Sequence, residues 1–206
     1  MKSVLKWALL GASIGVMAGA LTNGAKADEL FSRDVGNWTV DCQSEDDTKK
    51  FSYCSMTNTF TVHPSLVRKI DTEKIRLSFI LYQKWGRISM AGDWTAENKK
   101  SLPTQFLFDK EIYNGKSTFY NYSVQGGKGG MILSGPFNNI AEYMAEVMFS
   151  KHFVARIGKQ SLGTFPLNGT SKAGELLLKV WTRFVGTTGG KNYTFGDSSG
   201  DKVDTF

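Results

Sequence analysis

The chain has 206 residues, with 25 Lys and Arg against 19 Asp and Glu, which gives a formal net charge of +6 at pH 7. Its hydrophobic fraction of 41% is that of a chain that folds around a core. The positive charges are spread along the chain and do not form the basic cluster typical of nucleic-acid binding. We therefore expect no nucleic-acid partner.

The first 27 residues are typical of a cleavable signal peptide. Lys2 and Lys6 precede an apolar run from Trp7 to Leu21, and the small residues of Ala25-Lys26-Ala27 favour cleavage before Asp28. The run of about 15 residues is shorter than the roughly 20 that span a bilayer. We predict an exported chain that acts in the periplasm, is secreted or lies at the outer surface.

Cleavage of this segment removes three lysines and no acidic residue, so the mature net charge is about +3. A small positive charge of this kind is compatible with peripheral contact with an anionic membrane surface. The mature length of 179 residues suits a single domain, which we place at residues 28–185.

The two cysteines, Cys42 and Cys54, predict a structural disulfide, because an even number of cysteines in an exported protein usually forms disulfide bonds. Two thiols without a nearby histidine make at most half of a zinc site. Eleven intervening residues differ from the Cys-x-x-Cys spacing of redox motifs. No cofactor is expected.

Alternation predicts the first strands. Trp38, Val40 and Cys42 share one face of a half-buried strand, and a second strand from near Phe51 to Val62 pairs with it as a hairpin. The disulfide then links adjacent strands near their turn, and the His63-Pro64 pair ends the second strand.

The middle of the chain predicts further short strands separated by turns. The predicted segments are 74–83, 87–94, 105–109, 111–113, 117–124 and 131–133. Gly126 to Gly130 forms the turn of a hairpin. Short strands at this spacing favour an antiparallel sheet or sandwich.

Two helices are predicted in the C-terminal part. Asn138 or Asn139 caps a helix over 140–149, and Thr170 or Ser171 caps a helix over 173–184 with a wide apolar stripe. A strand over 153–157 lies between them. The polar segment 186–206 predicts a disordered tail. The fold class is therefore mainly β with two C-terminal helices.

The sequence offers no assembled catalytic set. His63 and His152 are its only histidines, and Asp109 and Glu111 form a carboxylate pair that a solvated strand edge explains. Gly115-Lys-Ser-Thr118 resembles the end of a phosphate loop, but the preceding glycine and the following helix are missing. We predict a protein that is not an enzyme.

Most of the aromatic residues, among them Trp38, Trp85, Trp94 and Trp181, are assigned to the core. Phe119, Tyr120 and Tyr122 cluster on one predicted strand, where neighbouring side chains point to opposite faces. One of the adjacent pair is then exposed. We predict these three residues as a partner-binding surface.

Several short motifs resemble the invasion-associated locus B family of exported alphaproteobacterial proteins. They are Gly36-Asn-Trp-Thr-Val-Asp-Cys42 with a second cysteine after a short turn, Ala91-Gly-Asp-Trp94, and Phe165-Pro-Leu-Asn-Gly-Thr-Ser-Lys-Ala173 before a helix. The chain lacks a second cysteine pair that is frequent in the family, so it resembles a divergent member.

The resemblance implies a compact, sheet-rich protein of the periplasm or outer surface, without known enzymatic activity. Some members of that family are linked to entry into host cells. We expect this chain to act by protein or surface interaction with an envelope or host-surface partner.

Two alternative functions are an accessory subunit of an envelope complex and a periplasmic hydrolase that uses carboxylates. A buried, charge-paired Asp109 or His152 in a pocket would favour the hydrolase. An apolar patch containing Phe119 or Tyr120 would favour an interaction protein.

Overall fold

The computed structural model describes residues 29–45, 50–61, 74–92, 101–109, 111–124, 127–157 and 160–187. The predicted signal peptide, His63 and Trp94 lie outside these ranges. Among the described residues, no helix has the length and apolar character needed to cross a membrane.

The described strands form one antiparallel sheet of ten strands, and two helices lie in the C-terminal part, as the sequence predicts. The spatial order is β1-β2-β3-β4-β5-β8-β7-β6-β9-β10. The elements are β1 Glu29–Val35, β2 Trp38–Glu45, β3 Lys50–Thr61, β4 Lys74–Leu81, β5 Gly86–Gly92, β6 Ser101–Phe108, β7 Ile112–Val124, β8 Gly127–Phe137, α1 Ile140–Phe149, β9 His152–Ile157, β10 Gln160–Pro166 and α2 Thr170–Thr187.

The sheet curls so that its two halves face one another across a single core. Phe79 of β4 lies 5.8 Å, ring centroid to centroid, from Phe153 of β9, although four strands separate β4 from β9 in the sheet. Trp38 of β2 reaches the other half as well, because its indole N–H donates to the carbonyl of Asn168 at 2.9 Å. Both helices pack on this inner side, where their apolar faces join the core.

The inner face of β2 follows the predicted alternation, and the predicted disulfide is present. Trp38, Val40 and Cys42 are fully buried. Cys42 lies directly opposite Cys54 in the β2–β3 ladder, and the two are bonded. Because each faces the core, the cross-link ties the two strands together on their inner side.

Several predicted boundaries are wrong. Strands β1 and β10, at the two edges of the sheet, were not predicted. The segments predicted at 111–113 and 117–124 form one strand, β7, which begins at Ile112, and β6 begins four residues before the predicted start at Gln105. Mixed polar and small residues at the start of β6 and in the middle of β7 hide the alternation of apolar side chains. Both strands are nevertheless extended, because each pairs with a neighbouring strand on both sides.

The boundaries of the two helices differ less from the predicted ones. Of the two predicted candidates, Asn139 caps α1, accepting a hydrogen bond from the backbone N–H of Glu142. Helix α2 begins at Thr170 itself, whose hydroxyl donates to the carbonyl of Leu167. It extends to Thr187, so the first two residues of the predicted tail are helical; the rest lies outside the described residues.

Gly86 shows how closely α1 packs on the sheet. A Cβ at this position would lie 2.5 Å from Cε1 of Tyr143. The Tyr143 ring is held in place because it stacks on Phe137 and donates from its hydroxyl to the carbonyl of Arg87 at 2.7 Å.

We expect Gly86→Ala to lower the free energy of unfolding by about 1–3 kcal/mol, because the buried ring has no room to retreat. Urea unfolding followed by tryptophan fluorescence measures this change. Gly115→Ala is the matched control, since a Cβ there meets nothing within 4 Å. Gly115→Ala should change the free energy of unfolding by less than about 1 kcal/mol. Equal losses in the two variants would contradict the close packing of Tyr143 on Gly86.

Candidate functional site

An open cleft lies between the turn ends of two hairpins, β2–β3 and β4–β5. Its volume is about 750 Å³, and we call it the hairpin cleft. Eight described residues line it, namely Glu45, Lys50, Phe51, Ser52, Tyr82, Gln83, Lys84 and Trp85. Three are aromatic and five are polar or charged, a mixture typical of sites that hold a ligand by stacking and a few hydrogen bonds.

The β4–β5 turn presents an aromatic pair to this cleft. The rings of Tyr82 and Trp85 stack with centroids 4.0 Å apart and planes 20° apart. The backbone N–H of Tyr82 donates to the carbonyl of Trp85 at 2.9 Å, which closes the turn between them. Both side chains are half-buried. The pair forms a fixed platform, named here the Tyr82–Trp85 platform.

Arg87 supports this platform. Its guanidinium carbon lies 4.8 Å from the Trp85 ring centroid and 5.7 Å from that of Tyr82, within cation–π range of both. Burial raises the pKa of the Tyr82 hydroxyl, and the charge and hydrogen bond of Arg87 oppose that shift. Within the described residues, the buried Nε of Arg87 has no hydrogen-bond partner. A cation therefore sits beside the rings, although its unpartnered Nε is buried and Arg87 is not among the residues that line the cleft.

Helix α2 fixes the two hairpins relative to each other. The indole N–H of Trp181 donates to the carbonyl of Tyr82 at 2.9 Å. One turn further on, the ring of Phe184 stacks on Phe51, with centroids 5.9 Å apart and planes 9° apart. One wall of the cleft is thus hydrogen-bonded to α2 and the other is packed against it. The cleft is therefore preformed rather than assembled by a ligand.

A polar network adjoins the platform on the outer face of the sheet. Tyr53 lies 5.8 Å from Tyr82, centroid to centroid. Asp41 accepts hydrogen bonds from the hydroxyl of Ser55 at 2.7 Å and from the amide of Gln43 at 3.3 Å. Burial raises the pKa of the Asp41 carboxyl, although these bonds and the charge of Arg76 oppose the shift. Burial, and then the charge of Asp41, raise the pKa of Tyr53.

The predicted partner-binding residues do not form one surface. Phe119 lies opposite Ile132 on the inner face of the β7–β8 ladder and is only 5% exposed, so it belongs to the core. Its assignment to a binding surface is therefore corrected. Tyr120 points to the other face and is half-buried. The strand includes Tyr122, but its side chain lies outside the described part of the structure.

The Asp109 carboxylate and His152 form a pair at the surface. Asp109 accepts from the backbone N–H groups of Lys151 at 2.6 Å and His152 at 3.0 Å, and the imidazole Nδ1 lies 3.5 Å away. The N–H of Lys151, more than any other group, lowers the pKa of this exposed carboxyl. The pair joins β6 to β9 and lies in neither described cavity. It lacks the burial that would favour a hydrolase.

A smaller cavity of about 240 Å³ lies beside β6, β7 and β8 and includes Gly115, Lys116 and Ser117. Strand β7 continues through these residues to Val124, so no helix follows them, as the sequence predicts for a chance match to a phosphate loop. The Ser117 and Ser134 hydroxyls bond to each other at 2.6 Å. Among the described residues, no group of three or more His, Cys, Asp or Glu could hold a metal ion.

Sequence reasoning missed the hairpin cleft. Trp85 is counted among aromatics assigned to the core, whereas it is half-buried at a turn. The available signal is the spacing of Tyr82 and Trp85, which are the first and last of the four residues between strands β4 and β5. Aromatic residues that flank a tight turn meet across it, and a turn lies at the surface.

No family model matches the chain, and no curated protein matches it. Among solved structures, it is similar to one described as the crystal structure of invasion associated protein b from Bartonella henselae. The two share 16% sequence identity, with a TM-score of 0.46, over 73% of this chain and 97% of that chain. Membership in the invasion-associated locus B family stays a prediction.

Proposed function

We propose that the protein is exported through its N-terminal signal peptide and acts in the envelope by binding, without catalysis. The partner, on the envelope or on a host surface, is bound at the hairpin cleft. The observation that carries this proposal is the Tyr82–Trp85 platform, a half-exposed aromatic pair with Arg87 beside it. Half-exposed aromatic residues that are held rigidly are frequent anchors of binding sites.

Rigidity also supports binding as the function. The cleft is held from α2 by a hydrogen bond and a ring stack, and the β2–β3 wall carries the disulfide. A site that is ordered before binding loses little conformational entropy when the partner arrives. The exposed Asp109–His152 pair stands apart from the cavities, so this pair does not support the hydrolase alternative.

The test is capture of envelope material by the tagged, exported chain, after crosslinking. We expect one specific component to be captured by the wild type, with about tenfold less on Trp85→Leu, because the replacement removes the stacking surface. Tyr120→Leu is the matched control, since Tyr120 lies on β7 and outside the cleft. It should capture as much as the wild type.

Three results would contradict the proposal. Equal capture by Trp85→Leu and the wild type would remove the cleft from the function. No specific capture by a folded wild-type chain would count against binding. Chemical modification of the captured component by the protein, detected by mass spectrometry, would show catalysis. Thermal unfolding of each variant confirms that the bait is folded.

A further inference from the structure

We propose that the hairpin cleft binds an acidic saccharide, an inference that rests on the proposed binding function and names the class of its ligand. The shape and chemistry of the Tyr82–Trp85 platform fit such a ligand. Tyr82 and Trp85 offer an apolar aromatic surface at a turn, and Gln83 and Ser52 stand beside it in the cleft lining. A pyranose ring has an apolar C–H face and a polar hydroxyl rim, so it matches an aromatic surface bordered by amide and hydroxyl groups.

The size of the cleft agrees with a short oligosaccharide. Its volume of about 750 Å³ lies near the upper end of the roughly 300–1,000 Å³ of small-ligand sites. The aromatic residues are the minority of the lining, because five of its eight residues are polar or charged. A protein partner usually requires a larger apolar centre. The lining therefore favours a polar ligand with ring faces.

The charges of the cleft favour an anion. Glu45 and Lys50 are directly opposite each other in the β2–β3 ladder, so their charges offset each other. Lys84 in the lining and Arg87 beside the rings add two positive charges. A carboxylate on the sugar complements these cations, and charge-assisted hydrogen bonds to carboxylates are strong.

The probe is a short oligogalacturonate, compared with its fully methyl-esterified form, which has the same rings and linkages without the charge. Titration calorimetry on the full exported chain measures both. We expect the acidic form to bind at least fivefold more tightly, because esterification removes the negative charge that Lys84 in the lining and Arg87 behind it attract. Raising the salt concentration should reduce this difference, since exposed charges are screened.

Two variants place the site. Trp85→Leu should weaken binding of the acidic probe about tenfold, and Lys84→Gln about three- to fivefold. Lys172→Gln is the charge-matched control and should bind like the wild type. Lys172 lies in the first turn of α2, near Gly169, which approaches Trp38 at the opposite end of β2 from the cleft.

Several outcomes overturn the inference. They are no binding of the acidic probe, equal binding of both probes, or undiminished binding to Trp85→Leu. If Trp85→Leu loses envelope capture while the wild type ignores the saccharides, the binding function stands and the ligand class is wrong. If neither envelope capture nor saccharide binding occurs, the proposed function fails as well.

Discussion

Replacing Phe79 by Ala should lower the free energy of unfolding by about 3–5 kcal/mol, the largest loss expected of any single substitution considered in this chain. Phe79 is fully buried at the centre of the curled sheet. Its ring lies within about 6 Å of Trp38 from β2, of Phe108 from β6 and of Phe153 from β9. Truncation would leave a cavity at the point where both halves of the sheet meet.

The measurement is the thermal and urea unfolding of Phe79→Ala beside Phe149→Ala. Phe149 is 76% exposed at the end of α1, so the same chemical change removes no core contact there. We expect a Tm lower by on the order of 10 °C for the first variant, and a stability change within about 0.5 kcal/mol for the second. Similar stabilities for the two variants would contradict the position of Phe79 at the junction of the two halves.

Removing the Cys42–Cys54 disulfide should lower the free energy of unfolding by about 3 kcal/mol. The bond closes a loop with a sequence separation of 12. Without it the unfolded chain has more conformational entropy, which favours unfolding. Ala at both positions is the suitable replacement, because each cysteine is fully buried and Ala adds no buried hydroxyl. Chemical denaturation under oxidising conditions measures the loss.

Reduction provides the control for this prediction. The chain has no cysteine besides this pair, so a reducing agent should destabilise the wild type and leave the double variant unchanged. The β2–β3 hairpin also forms one wall of the cleft, and envelope capture should weaken along with stability. A double variant as stable as the oxidised wild type would show that the cross-link does not stabilise the fold.

Local patterns account for the parts of the fold that the sequence predicts well. The alternation of Trp38, Val40 and Cys42 places β2, and Asn139 marks the start of α1. Each signal arises within a few residues of chain. Strands β1 and β10 carry no such signal, because edge strands are partly exposed and each pairs on one side only, with the strand next to it in sequence.

The candidate site was harder to predict for a similar reason. Alternation shows that Phe119 and Tyr120 point to opposite faces, but not which face is covered; the sheet curls so that Phe119 faces the core. The hairpin cleft depends on two hairpins and on α2, whose Trp181 and Phe184 meet Tyr82 and Phe51 about 100 or more residues away in sequence. No short window of sequence contains both walls.

The measurement that tests the binding proposal most directly is envelope capture by wild type, Trp85→Leu and Tyr120→Leu at equal concentration of folded bait. We expect a specific component on the wild type and on Tyr120→Leu, and about tenfold less of it on Trp85→Leu. Undiminished capture by Trp85→Leu together with loss on Tyr120→Leu would contradict it and would move the binding surface from the hairpin cleft to β7.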